Sequence, residues 1–282
     1  MDHFSGIHNE FDRFRKYLVT HTGIALAENK NYLIESRLKN ILTEHHLPHI
    51  DDLLRFIEGH PGAPVIDKVV DAMTTHETFW FRDDTFFNYI GYILLPTLLK
   101  NLSGQRSIEV WSAACSSGQE AYSFSMVVEQ CLQNMKSQAH TALPVHILGT
   151  DISKHVITHA QSAIYSPLEL SRGLSAHLLR QYFDALPGGG AKVNEKVRQR
   201  ARFAVHNLME RFDTLGTFDV VMCRNVLIYF DDKIAEAILR KIHGVLRKNG
   251  VLFLSSTESI QGLNDLYIHE QTPVGLMYRA IH

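Results

Sequence analysis

The segment of residues 220–231, VVMCRNVLIYFD, constrains the fold more strongly than any other part of this chain. It begins with an apolar, β-prone run, which is typical of a strand buried on both faces of a parallel sheet. Three polar side chains follow, Arg224, Asn225 and Tyr229, before Asp231 offers a helix cap. Because ligands of open α/β sheets bind outside the carboxyl ends of the strands, this cluster indicates a binding site. A strand end that only hydrogen-bonds its own helix explains the segment equally well.

After residue 106, short apolar runs alternate with segments of helical periodicity. The alternating segments are predicted strands at residues 108–111, 145–148, 218–223 and 251–254, and predicted helices at residues 120–135, 154–163 and 233–246. Such alternation predicts right-handed β-α-β units and a mostly parallel sheet. Two further runs, at residues 267–269 and 275–279, are compatible with a terminal hairpin.

Two other parts of the chain depart from this alternation. Amphipathic patterns before Leu99 predict helices around residues 11–18, 34–42, 51–59, 65–73 and 83–99. The segment between Tyr165 and Phe203 contains a Pro-Gly-Gly-Gly turn at residues 187–190, flanked by possible short strands. We therefore predict a helical domain at residues 1–98 and a sheet domain at residues 99–282, with an insert at residues 165–203.

The composition restricts the class of protein. Lys plus Arg total 28 against 30 Asp plus Glu, and the pI is about 6.8, so the chain has no global positive field for nucleic acid or an anionic membrane. No apolar run is long enough for membrane insertion, and residues 1–4 lack the pattern of a secretory signal. The cysteines show no metal spacing and fit a cytoplasmic protein. His155 and His159 have a spacing that can chelate zinc, but no third ligand accompanies them, so we expect no metal site.

The ends of the first two predicted strands carry candidate ligand-binding residues. The loop after the first strand, within residues 109–126, is rich in small residues, which permits close approach of a ligand to the backbone. It contains neither G-x-G-x-x-G nor a P-loop, and on its own it is explained better by packing. Asp151, at the end of the second strand, can accept both hydroxyls of a ribose. Asp151 could instead cap the next helix, although Ser153 can take that role.

A third candidate segment lies at the seam between the predicted helical and sheet domains. Residues 74–84, TTHETFWFRDD, place Thr78 and Arg82 among three aromatic side chains. An arginine in such a setting can bind a carboxylate of a cofactor or a substrate. The alternative is a hydrophobic seam in which Arg82 pairs with Asp83 or Asp84.

Five ordered motifs resemble those of the chemoreceptor glutamate methyltransferase family (CheR). THETFWFR is similar to the family's T-N-E-T-x-F-F-R, WSAACSSGQEAYS to W-S-A-x-C-S-x-G-E-E-x-Y-S, and GTDIS to A-T-D-I-[DS]. An Asn-Leu pair and CRNVLIYFD complete the series. The resemblance implies an α/β fold: a Rossmann-like class I methyltransferase sheet with an all-helical N-terminal domain and a small β-subdomain in the insert.

The resemblance also implies S-adenosylmethionine (SAM) as cofactor and S-adenosylhomocysteine (SAH) as product. Asp151 would hold the ribose hydroxyls, and Asn207 and Leu208 would border the adenine. Asn225 and Val226 would close the pocket beside the transferable methyl group. The methionine end of the cofactor would be lined by His76, Thr78, Arg82 and Glu120.

The implied acceptor is a glutamate on the cytoplasmic helices of methyl-accepting chemotaxis receptors. A glutamate with a pKa near 4.3 is ionised at neutral pH, so it needs no general base. Methyl transfer in line needs alignment and release from water, and we therefore predict catalytic positioning roles for Arg82 and Tyr229. Lys30 and Arg37 share a predicted helix face close to Lys39, which could steer an acidic receptor helix. A solvated charged face is the alternative for each of these residues.

The chain departs from the family's motifs at three places. His76 replaces an Asn, Gln119 replaces the first of two Glu residues, and Ser255, Ser256 and Thr257 replace Gly-His-Ser before Glu258. We expect an altered cofactor contact at His76. The insert grips a receptor's tail peptide in some family members, whereas the compact turn here favours a form without such a tether. The alternative functions are methylation of a small carboxylic acid and a non-catalytic, cofactor-sensing adaptor.

Overall fold

The computed structural model describes residues 3–102, 106–135, 144–260 and 262–282. Residues 1 and 2, which enter the prediction about a secretory signal, lie outside these ranges. The first four helices form one module, called the helical module below: α1 (His3–Thr22), α2 (Asn31–Glu44), α3 (Ile50–Gly59) and α4 (Pro64–Met73). Their apolar stripes meet in a common core that includes Phe14, Leu18, Ile34, Leu38 and Leu53. The four predicted helices are confirmed, although α3 begins one residue earlier than predicted because His49 caps it.

A further helical stretch joins the module to the sheet. It consists of α5 (Asp84–Tyr89), a π-helical turn (Ile90–Leu94) and α6 (Leu95–Asn101). The single helix predicted over residues 83–99 is therefore interrupted by a π-turn. Its buried side chains, among them Phe86, belong to the core of the sheet and not to that of the helical module. The predicted domain boundary after residue 98 stays a prediction.

The remaining elements alternate along the chain as predicted. In chain order the strands of the described residues are β1 (Ile108–Ala113), β2 (Val145–Asp151), β3 (Ile164–Tyr165), β4 (Phe183–Ala185), β5 (Ala191–Val193), β6 (Ala201–Val205), β7 (Phe218–Met222), β8 (Leu246–Phe253), β9 (Tyr267–Thr272) and β10 (Gly275–Ala280). The helices among them are α7 (Gln119–Met135), α8 (Lys154–Ser162), α9 (Pro167–Leu170), α10 (Ala176–Tyr182), α11 (Glu195–Arg198) and α12 (Asp232–Val245).

Seven of the strands form one sheet, in the order β6-β2-β1-β7-β8-β10-β9. The five strands from β6 to β8 are parallel, and Trp111 of β1 pairs with Leu148 of β2 on one side and Val221 of β7 on the other. Strand β10 runs antiparallel to both β8 and β9, which confirms the predicted terminal hairpin. Because the chain leaves β1 toward β2 and later returns to β7, the ends of these three strands lie at the switch point where ligands of such sheets bind.

Two features of the sheet differ from the prediction. Strand β6 was not predicted, because it lies at the sheet edge and its half-exposed residues make no continuous apolar run. Strand β8 begins at Leu246 and includes residues 248–250, which were predicted to form a turn. Its pairing with β7 shifts in register between Phe218 and Val220, opposite these residues. Asn249 there has a left-handed φ of 63°, which Asn tolerates better than most residues.

The insert contains a small sheet of its own, with strands in the order β3-β5-β4 and all pairs antiparallel. Strands β4 and β5 flank the predicted Pro-Gly-Gly-Gly turn, which is closed by a hydrogen bond of 2.8 Å from the Leu186 N–H to the Gly190 carbonyl. The predicted short strands beside that turn are therefore confirmed.

Within the described ranges, no helix has the length and apolarity needed to cross a bilayer. The same residues contain no group of three or more His, Cys, Asp or Glu side chains placed to hold a metal ion. Nε2 of His159 donates a hydrogen bond of 2.9 Å to the Ile164 carbonyl, and His155 is exposed.

Candidate active site

One pocket lies where the carboxyl ends of β1, β2 and β7 face the helical module. All of the residues proposed from the sequence line it: His76, Thr78, Arg82, Glu120, Asp151, Asn207, Leu208, Asn225, Val226 and Tyr229. They come from five separate segments of the chain, so the fold brings together residues that are far apart in the sequence. Further walls come from residues that the sequence did not single out for the pocket, including Thr22, Ile24 and Ser116.

The loop after β1 takes an unusual backbone path. Ala114, Ser116 and Gly118 have positive φ angles of 57°, 50° and 92°. Such conformations are costly for residues other than glycine and concentrate at functional sites. The Ser116 N–H donates to the carboxylate of Asp151 at 2.9 Å, and its hydroxyl donates to the carbonyl of His76 at 2.9 Å. The small residues of this loop therefore shape the pocket and do more than allow packing.

Asp151 is almost fully buried at the end of β2, with 7% of its surface exposed. One carboxylate oxygen accepts the Ser116 N–H and the other accepts the Ser153 N–H at 3.0 Å. Ser153 caps α8, since its hydroxyl accepts the Val156 N–H, and the prediction that Ser153 frees Asp151 from that task is confirmed. Burial raises the pKa of Asp151, although the backbone N–H donors and nearby His76 act in the opposite direction. Each oxygen keeps a lone pair for a further donor.

The imidazole of His76 is held by the end of α4. Its Nε2 lies 2.9 Å from the Thr74 hydroxyl and 3.1 Å from Oδ1 of Asp71. The same Asp71 oxygen accepts the Ser153 hydroxyl at 2.5 Å. These contacts place His76 on the Asp151 side of the pocket, whereas the resemblance implied the methionine end. A contact of His76 with that end stays a prediction.

Glu120 and Arg224 form an ion pair at the floor of the pocket. Glu120 lies in the first turn of α7, and its carboxylate accepts hydrogen bonds from the Ser112 hydroxyl at 2.7 Å and from Nη1 of Arg224 at 3.2 Å. Burial raises the pKa of Glu120, and the charge of Arg224 is the largest opposing cause. Both charges therefore lie in a low-dielectric part of the site, where they act strongly on any ligand.

Arg82 leaves its charge available. Its Nη1 donates to the Glu77 carbonyl at 3.3 Å, and its guanidinium carbon lies 5.5 Å from the centre of the Phe79 ring. The alternative in which Arg82 pairs with Asp83 or Asp84 is wrong for the described residues. Asp83 instead caps α5 and lies 3.4 Å from Arg224.

The loop after β7 is fixed by a residue that the sequence did not identify. Asn225 has a φ of 60°, and its N–H donates to Glu258 at 2.8 Å. Glu258 also accepts the N–H groups of Val226 and Leu227 at 2.8 Å each. Glu258 is the one residue retained from the family's Gly-His-Ser-Glu, and that retention was the available signal.

The helical module closes the other side of the pocket through the turn after α1. The Asn207 side-chain amide donates to the His21 carbonyl at 2.6 Å, and the Ala25 N–H donates to the Tyr229 carbonyl at 2.9 Å. Gly23 between them has a φ of 77°, and a Cβ there would lie 2.7 Å from Met209 and from Phe230. The glycine permits this close contact between module and sheet. No motif in the sequence marked this turn as part of the site.

Comparison with known proteins agrees with this geometry. Two family models match the chain: CheR methyltransferase, all-alpha domain, over residues 9–74, and CheR methyltransferase, SAM binding domain, over residues 76–276. The range of the SAM binding domain contains every residue that the resemblance assigned to the cofactor. The cofactor is therefore SAM.

Relatives match over almost their whole length. The chain is 39% identical to chemotaxis protein methyltransferase Cher2 of Pseudomonas putida, with 96% of this chain and 98% of that protein covered. It is 40% identical to chemotaxis protein methyltransferase 1 of Pseudomonas aeruginosa, with 98% and 99% covered. It is 37% identical to chemotaxis protein methyltransferase 1 of Vibrio cholerae, with 96% of each chain covered. The chain thus belongs to the CheR methyltransferase family and is a SAM-dependent methyltransferase with a Rossmann-like sheet and an all-helical N-terminal domain.

Proposed function

We propose that this protein transfers the methyl group of SAM to glutamate side chains of chemotaxis receptors and so forms glutamate methyl esters. The relatives named as chemotaxis protein methyltransferases support this assignment. The observation that carries it is the guanidinium of Arg82, which lines the SAM pocket and makes no ion pair with the described residues. A free cation in such a pocket suits an anionic acceptor.

The residues present fit SAM. Asp151 is buried and ionisable, and it has lone pairs left for the ribose hydroxyls. The apolar side chains of Ile24, Leu208 and Val226 offer a wall for the adenine. When bound, SAM supplies the electrophilic methyl group. The methionine end is then assigned to Thr78, Arg82 and Glu120, with His76 toward the ribose.

The reaction needs no proton transfer from this chain. An acceptor glutamate is already ionised at neutral pH. One of its carboxylate oxygens forms the new O–CH3 bond as the S–CH3 bond breaks, and the electron pair of that bond stays on sulfur. The residues of the pocket therefore align the carboxylate and exclude water. Arg82 would hold one carboxylate oxygen, and the hydroxyl of Tyr229 would position the acceptor.

We propose that the receptor docks on the helical module, on a surface that differs from the predicted one in its basic residues. Arg37 is half-buried, and its Nη1 donates to the carbonyls of Met73 and Thr74 at 2.9 and 3.4 Å. Lys30 lies in a short 3-10 turn before α2. The predicted shared helix face of Lys30 and Arg37 is therefore wrong, since Lys30 precedes α2 and Arg37 fastens the segment leading to His76. We propose that Lys30 and Lys39, both exposed, steer an acidic receptor helix.

The insert contacts the pocket segment directly. Arg172 donates to Glu77 at 2.9 Å, and its carbonyl accepts the Trp80 N–H at 3.2 Å. We propose that receptor capture does not depend on a tail peptide held by the insert, which the compact turn at residues 187–190 supports. Nanomolar binding of a receptor tail pentapeptide, measured by calorimetry, would contradict this part of the proposal.

The test of the proposed function is methyl transfer in vitro. The protein is incubated with methyl-labelled SAM and with membranes that carry receptors from its own source, and the label is mapped by mass spectrometry. Base-labile label on receptor glutamates is the expected result. Label on a small carboxylic acid alone would indicate a methyltransferase for small carboxylic acids. SAH binding without transfer would favour a non-catalytic adaptor.

A further inference from the structure

We infer that Arg224 is a positioning residue for methyl transfer, which fixes the backbone of Arg82 and pairs with the carboxylates of Asp83 and Glu120 so that the Arg82 guanidinium stays free for the acceptor. This inference rests on the proposed function and adds to it a residue with no assigned part in catalysis or cofactor binding.

Arg224 makes contacts to three partners from a buried position. Its side chain is 3% exposed. Nη2 donates to the Arg82 carbonyl at 3.1 Å and lies 3.4 Å from Oδ2 of Asp83, while Nη1 donates to Glu120 at 3.2 Å. The guanidinium carbon lies 4.1 Å from the centre of the Phe86 ring. The planar fork of arginine is what allows one side chain to satisfy acceptors in several directions.

Stability does not explain this arrangement. A buried ion pair must overcome the desolvation of both charges, and replacing such pairs by apolar side chains is often neutral or stabilising. Nε of Arg224 is also buried and has no hydrogen-bond partner in the described part of the chain. An unsatisfied buried donor is destabilising. The residue is therefore better explained by the geometry that it imposes on Arg82.

The consequence of losing Arg224 follows from the charges around it. Arg82 already acts on Glu120, because its charge is among the causes that lower the pKa of that carboxyl. Without Arg224, the Ser112 hydroxyl would be the one hydrogen-bond donor left to Glu120 among the described residues. Arg82 would then be its nearest remaining cation and would be drawn away from the acceptor.

The test compares Arg224→Gln with a matched ion-pair variant on the same helix. Arg200 donates to Glu129 of α7 at 2.8 Å, with side chains 15% and 12% exposed, and it lies outside the pocket lining. For Arg224→Gln, kcat for receptor methylation should fall about 100-fold, as expected for a misplaced catalytic group. The loss of SAH affinity on acidification (the acid limb) should move to higher pH, because Glu120 loses its opposite charge and is protonated more easily. Arg200→Gln should leave both quantities as in the parent protein.

The variant Arg224→Lys separates the effect of the charge beside Glu120 from that of the hydrogen bond to the Arg82 carbonyl. It also provides a test if Arg224→Gln does not fold. A lysine restores the charge beside Glu120 but cannot also hold the Arg82 carbonyl, so the acid limb should return while kcat stays low. An unchanged kcat and acid limb in the Arg224 variants, or equal losses in Arg200→Gln, would overturn the inference. If the parent protein methylates no receptor glutamate, the proposed function fails. The role of Arg224 beside Glu120 is then tested by SAH binding alone, through the pH at which affinity is lost on acidification.

Discussion

The carboxylate of Glu258 accepts the backbone N–H of Asn225 at 2.8 Å, which joins the loop after β8 to the loop after β7. The same carboxylate accepts the Ser255 N–H at 2.9 Å, so one side chain spans the ends of two adjacent parallel strands. Asn225 is held in a left-handed conformation. The loop that carries Tyr229 therefore depends on a charge from another segment of the chain.

Replacing Glu258 by Gln should loosen this loop. Glutamine removes the charge and presents an NH2 group to backbone donors, and each lost charge-assisted bond is worth about 1.5–3 kcal/mol. We expect the free energy of unfolding in urea to fall by about 3 kcal/mol and the Kd for SAH to rise at least about tenfold. Ser256→Ala, at an exposed neighbour, is the control and should change neither quantity. Unchanged SAH affinity in Glu258→Gln would show that the loop is held by other contacts.

Asp151 should make SAH affinity depend on pH. Burial raises its pKa above the ordinary value of 3.8. Hydroxyl recognition needs the ionised carboxylate, so affinity should be full above the raised pKa and be lost as the pH falls through it. The stability of the ligand-free fold has the opposite sign: the contribution of this carboxyl is present at low pH and lost as the pH rises from 3.8 through the raised value.

The measurement for Asp151 is calorimetry with SAH across the acid range. Asp151→Asn should weaken binding by about 10- to 100-fold near neutral pH and should remove the part of the loss at low pH that Asp151 causes, leaving the part that Glu120 causes. A limb of the same position and depth in Asp151→Asn would assign the pH dependence to another group.

Arg82→Ala should lower methyl transfer by about two orders of magnitude or more, because the acceptor carboxylate loses its anchor. The rate is measured with labelled SAM and receptor membranes. Arg172→Ala is a suitable control, since its guanidinium carbon lies 5.3 Å from the same Phe79 ring but is paired with Glu77. Near-normal turnover in Arg82→Ala would refute the positioning role of Arg82.

Tyr229→Phe should lower kcat about tenfold and leave SAH affinity nearly unchanged. The substitution deletes only the hydroxyl, while the bond between the Ala25 N–H and the Tyr229 carbonyl remains. Steady-state rates and SAH calorimetry on the same preparation make the comparison. Equal losses in both would identify Tyr229 as a cofactor-binding residue.

Asp219 should matter for stability and not for activity. It lies near the start of β7, at the end of the strand remote from Arg224, and is 5% exposed. Its carboxylate accepts Arg106 at 2.8 and 2.6 Å, Arg247 at 2.7 Å and the Glu109 N–H at 2.9 Å. Asp219→Asn should reduce the free energy of unfolding by about 3 kcal/mol, because the lost hydrogen bonds are charge-assisted and each is worth about 1.5–3 kcal/mol. Methyl transfer at low temperature should be retained, and a selective loss of transfer would contradict this assignment.

The parts of the fold that the sequence predicted are those with local patterns. The amphipathic stripe of α2 and the apolar run of β7 each identify their element without knowledge of the rest of the chain. Strand β6 escaped prediction because an edge strand needs no continuous apolar run, and the register shift in β8 depends on its pairing with β7. Periodicity alone does not specify such pairings.

The candidate site was predicted in composition but not in geometry. The motifs identified Asp151 and Arg82, yet the hydrogen bonds of Ser153 to Asp71 and of Asn207 to His21 join residues that are 82 and 186 positions apart in the chain. The turn around Gly23 enters the pocket only because α1 ends against the sheet. Such contacts follow from tertiary packing, which a single sequence does not reveal.

The most direct measurement is a crystal structure of the protein with SAH. We predict that its ribose hydroxyls lie within hydrogen-bond distance of Asp151 and that its sulfur faces the space between Arg82 and Tyr229. SAH bound away from these three residues, or no binding of SAH at all, would contradict the account.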